Sequence, residues 1–99
     1  MEFLKRLMEV EEDHLKDAQM FTDYALEFRH KGMPDACVYF ATEAKERVKK
    51  YEHVHEKIHK MLQAYPAANG ETREHMCWTI LSEKQEQWLH QIKYKLSDM

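Results

Sequence analysis

The sequence predicts an all-α protein, a three-helix antiparallel bundle, and three observations point there. Gly and Pro are scarce, two of each in 99 residues, whereas a sheet-rich chain of this size needs many turn residues. Apolar residues recur at three- and four-residue spacing over three long stretches, the period of an amphipathic helix. The two breaks between those stretches carry helix-stop and helix-start chemistry. The length suits one core, so residues 1–99 are read as a single domain.

The first helix is predicted over about 2–31. At about 100° per residue, Phe3, Leu7, Val10, Leu15, Ala18, Phe21, Ala25 and Phe28 share one face, and Lys5, Glu9, Asp13, Lys16 and Asp23 lie off it. The pattern ends at His30-Lys31-Gly32-Met33-Pro34-Asp35. Basic residues in a last turn, Gly at the stop, and Pro and an acid opening the next helix make a two-helix turn. The second helix runs over about 34–65, with Cys37, Ala41, Ala44, Val48, Tyr51, Ile58, Leu62 and Tyr65 on its apolar face. It stops at Pro66-Ala67-Ala68-Asn69-Gly70. Asn69 caps the third helix, about 70–97, and Glu71 suits its first turn. Cys77, Trp78, Leu81, Trp88, Leu89, Ile92 and Leu96 share its broad apolar side, with Gln85 the polar intruder.

Composition removes several function classes. A formal charge of −3 leaves no electrostatic footprint for nucleic acid. Protonating all seven His would carry that charge to +4, so the balance depends on mildly acidic pH. Cys37 and Cys77 belong to no CxxC pair and are too few for a secreted disulfide scaffold. The longest apolar run, residues 36–41, is far short of a membrane span, and the N-terminal stretch lacks a signal-peptide apolar region. The expectation is a cytoplasmic protein with no nucleic-acid or membrane partner. Three helices bury less than four, so an exposed apolar strip favours a homodimer or another protein partner.

Function enters through polar residues on apolar stripes. Glu11 and His14 fall on the first stripe and His55 on the second, and a buried ionisable group is costly unless paired or metal-bound. Positions equidistant from Gly32 lie at one level of the hairpin, which brings Glu11, His14, Tyr51 and His55 into neighbouring layers with Glu52 at the edge. Both helices carry Glu-x-x-His, at Glu11–His14 and at Glu52–His55. Residues three apart share a helix face, so a carboxylate and an imidazole can converge on one ion. One reading is therefore a site for iron, manganese or zinc made by Glu11, His14, Glu52 and His55. The other is a hydrogen-bonded polar layer in a non-catalytic interaction or scaffold module. His55-Glu56-Lys57-Ile58-His59 also matches the zinc-protease pattern H-E-x-x-H, but Glu56 projects about 100° away from His55, toward the solvated side.

Tyr24-Ala25, then Lys31-Gly32 in the turn, then Ala36, Phe40 and Ala44 resemble the first helical hairpin of the ferritin-like superfamily, rubrerythrins in particular. The resemblance covers about a fifth of the chain. It implies a helical bundle, often dimeric, with iron or manganese between helices for redox or storage chemistry. It also implies a Glu-x-x-His at positions occupied here by Arg47 and Lys50, and a first-helix glutamate at or beside His14. Glu52 and His55 lie five residues beyond those positions, a rotation of about 140° about the helix.

Overall fold

The computed structural model describes residues 2–64 and 73–99, with side chains given from residue 76 onward in the last helix. It contains three helices, α1 (Glu2–His30), α2 (Pro34–Ala64) and α3 (Arg73–Leu96), and no strand among the described residues. Tyr65, the stop at residues 66–70, the Asn69 cap and Glu71 lie outside the described residues.

The turn between α1 and α2 follows from its residues. Gly32 has φ 70°, a left-handed conformation that costs a Cβ-bearing residue and suits glycine. Its N–H bonds the Arg29 carbonyl at 3.1 Å, and the Met33 N–H bonds the Phe28 carbonyl at 2.9 Å. Together these satisfy carbonyls that a helix end leaves open. Pro34 then takes the first position of α2, where its missing N–H removes nothing, and Asp35 faces the positive end of that helix.

The α1–α2 contact is the most extensive in the chain, and α3 touches each of them far less. Small residues explain the close pairing: Ala18, Ala25, Ala41 and Ala44 are almost wholly buried along the seam. Burial in α3 follows a narrower stripe than its composition suggests. Trp78, Ser82, Gln85, Ile92 and Leu96 are buried, while Cys77 and Leu81 are exposed. A helix resting on a hairpin meets it along a three-four spacing, and Cys77 and Leu81 sit to one side of that line.

The core falls into two apolar clusters. One gathers Leu15, Val48, Tyr51, Ile92 and Leu96 with the seam alanines, toward the α1–α2 turn. The other gathers Leu4, Ile58, Leu62 and Trp78 at the far end. Each helix places polar side chains on its inward face where the two clusters meet: Glu11 in α1, His55 in α2, Ser82 and Gln85 in α3. No described helix is long and apolar enough to cross a membrane.

Candidate functional site: a buried acid–imidazole layer

Glu11 is 1% exposed, and its Oε2 lies 3.0 Å from Nδ1 of His55 across the α1–α2 seam. The acid is there because its position continues the stripe from Leu4 to Leu15, and His55 because it follows Tyr51 by one turn. The Tyr51 hydroxyl is 3.3 Å from the same imidazole nitrogen and donates to Oε1 of Gln85 at 3.4 Å. On the other side of the ring, Nε2 is 3.4 Å from Oγ of Ser82 and 3.9 Å from a carboxylate oxygen of Glu86. The ring is flanked by Tyr51 and Trp78 at centroid distances of 5.3 and 5.1 Å.

Donors and acceptors are consistent throughout. With a proton on Nδ1, the imidazole donates to Glu11, the tyrosine oxygen stands as a second acceptor, and the tyrosine proton is free for Gln85. Nε2 accepts from Ser82 when the ring is neutral and donates outward when it is charged. The hydrogen bond to Glu11 is the main force holding the His55 pKa above its ordinary 6.5, with the Glu11 and Glu86 charges adding and burial opposing. Burial first, and then the Glu11, Glu86 and Glu52 charges, push the Tyr51 hydroxyl well above the usual phenol value, so it stays a donor.

The other two predicted donors go elsewhere. Glu52 is exposed at the edge and accepts from Lys93 at 3.1 Å. His14 takes no part in the layer: its Nδ1 is buried without a hydrogen-bond partner among the described residues. Burial, and then the Lys50 and Arg47 cations, hold its pKa below 6.5. So the structure brings Glu11 and His55 together, and leaves Glu52 and His14 outside their contact. Among the described residues no three His, Cys, Asp or Glu side chains form a group suited to a metal ion. In the H-E-x-x-H stretch, Glu56 is exposed and pairs with Lys60 at 3.1 Å, and His59 lies against Trp78 at 5.8 Å.

A groove of about 670 Å³ runs between α2 and α3 beside the layer, with His55, Ser82 and Glu86 on its wall. Ser82 is the functional neighbour that the apolar-face reading missed. The spacing 78, 82, 85, 89, 92, 96 carries the signal, because it places Ser82 and Gln85 on the line of Trp78 and Ile92. Cys37 is buried and Cys77 exposed, and both are free thiols. No protein-family model matches the chain, and no curated protein or solved structure matches it.

Proposed function

We propose that this chain is a three-helix antiparallel bundle acting as a non-catalytic interaction or scaffold module, in which the buried acid and imidazole serve as a register-setting polar layer. One observation carries the reading. Glu11, His55, Tyr51, Ser82 and Gln85 form a connected set of contacts drawn from all three helices, between two apolar clusters. Only one sliding position of each helix satisfies such a layer. Slipping α1 against α2 by one turn strands the Glu11 carboxylate among apolar side chains, at a cost of several kcal/mol, about the stability of a small domain. The layer therefore supplies specificity of packing more than net stability.

On this reading the likeness to ferritin-like hairpins is one of helix packing, and the carboxylate and imidazole that could hold iron, manganese or zinc are engaged with each other. Elemental analysis of purified protein and melting with and without each of those ions test it. The layer predicts substoichiometric metal and an unchanged melting temperature. Metal at one per chain, together with a metal-dependent rise in melting temperature that disappears in Glu11→Ala and His55→Ala, overturns it.

A further inference from the structure

The hairpin has a second face, turned away from α3, and we propose that it is the seam of an antiparallel homodimer in which α1 of one copy lies against α1 of the other. α3 reaches α1 on one flank, where Trp88 donates to Gln19 at 2.9 Å. The opposite flank of α1 carries a stripe from position 3 to position 28 at strict four-three spacing, the period of helices that pack side by side at a shallow angle. Phe3, Val10 and Tyr24 on it are 54, 40 and 41% exposed. Phe21 and Phe28 are half-buried against Phe40 of α2.

What identifies the occupant as a second copy is that the stripe reads the same from both ends. A two-fold axis beside α1, perpendicular to it and level with the midpoint between His14 and Asp17, sets His14 opposite the second copy's Asp17. It sets Val10 opposite Phe21, Leu7 opposite Tyr24 and Phe3 opposite Phe28. Every apolar residue meets an apolar residue, and the one imidazole meets the one carboxylate. An isologous interface requires this self-complementarity, whereas an unrelated partner does not.

The waist fits as well. His14 is half-buried on this stripe. Asp17 is held nearby by Arg47 at 3.5 Å, with its side chain still 44% exposed. Asp17 and Glu43 balance Arg47 and Lys50 on the same face, so two copies meet without net repulsion. The stripe is about 38 Å long at 1.5 Å per residue. With α2 beside it the face is about 20 Å wide, which gives a footprint on the order of 750 Å² per copy, near the roughly 800 Å² of a standard stable interface.

This surface lies on the opposite flank from the acid–imidazole layer, so its test is independent of the metal experiment above. Sedimentation velocity from micromolar to hundred-micromolar protein is expected to show a monomer–dimer equilibrium, shifted at least tenfold toward monomer in Val10→Glu/Tyr24→Glu. Both residues are substantially exposed in the single chain, and circular dichroism checks that the variant keeps its helices. In a Cys77→Ser background, mixing Val10→Cys with Phe21→Cys chains is expected to give an intermolecular disulfide, and Val10→Cys alone is not. A wild-type chain that stays monomeric throughout overturns the proposal. So does a dimer indifferent to the double variant, or one in which Val10→Cys cross-links preferentially to itself.

Discussion

The Glu11 carboxylate on α1 and the His55 imidazole on α2 meet at 3.0 Å across a seam built mostly from apolar residues such as Leu15, Ala18, Ala44 and Val48. Their energetics are those of a pair whose parts are costly singly. Glu11→Leu leaves a half-buried imidazole without its main partner and is expected to lower stability by about 1–3 kcal/mol. His55→Leu leaves the acid buried and unpaired, and is expected to cost at least as much. The double change Glu11→Leu/His55→Leu removes both polar groups and is expected to cost less than the sum of the singles. Urea unfolding of the four proteins measures the coupling, and strict additivity would mean that the contact contributes nothing.

The same pair sets a pH dependence, and the sign follows from the direction of the shift. The folded His55 pKa lies above 6.5, so its stabilising contribution is fully present below the unfolded value and is lost as pH rises through the folded one. His14 runs the other way. Its folded pKa lies below 6.5, so its contribution is present above the unfolded value and is lost as pH falls through the folded one. Melting curves across pH 5 to 9 for His55→Gln and His14→Gln separate the two. The wild type's advantage over His55→Gln should shrink with rising pH, and its advantage over His14→Gln should shrink with falling pH. Curves for the two variants that run parallel to wild type would remove both assignments.

Gly32 gives a prediction free of electrostatics. It sits at φ 70° with nothing within 4 Å of where a Cβ would stand, so a substitution there meets no clash and feels only the backbone. Gly32→Ala is expected to cost about 1 kcal/mol, and Gly32→Asn less, because Asn tolerates the left-handed region. For a chain of this size that corresponds to a fall in melting temperature of about 4–8 °C for Ala. A neutral Gly32→Ala would mean that the turn relaxes to another conformation.

Much of this organisation was legible in the sequence because it is local. The run from His30 to Asp35 encodes a helix stop and a helix start, and the structure closes it with the Gly32 and Met33 hydrogen bonds. Counting outward from Gly32 brings position 53 level with Glu11, and His55, within a turn of it, makes the contact. Residues joined through α3 were not legible in the same way. The register of α3 depends on the connection after α2 and on side-chain packing, and no repeat in the sequence sets it. Gln85 therefore looked like an interruption of an apolar side, and Ser82 was not singled out at all, although they are partners of Tyr51 and His55. His14 shows the reverse limit. It lies on the right stripe, but about a sixth of a turn from Glu11 when the helix is viewed along its axis and three residues further along it, which sets it near the charges of Lys50 and Arg47 instead of against His55.

The uneven packing of the three helices leads to a last expectation. α3 rests lightly on a hairpin that is itself extensively paired, so its docking should open more readily than the hairpin unfolds. The Tyr51 hydroxyl is one of the polar groups tying α3 down, through its bond to the buried Gln85. Tyr51→Phe keeps the ring in the core, deletes that bond, and leaves the Gln85 carbonyl without its donor, for a loss of about 1–2 kcal/mol. Amide hydrogen exchange should place this loss unevenly: residues 82–96 exchange faster in the variant, while the seam around Ala18 and Ala44 keeps its protection. Uniform acceleration through all three helices would show instead that the hairpin and α3 open as one cooperative unit, and that the polar layer binds them together more tightly than their contact area implies.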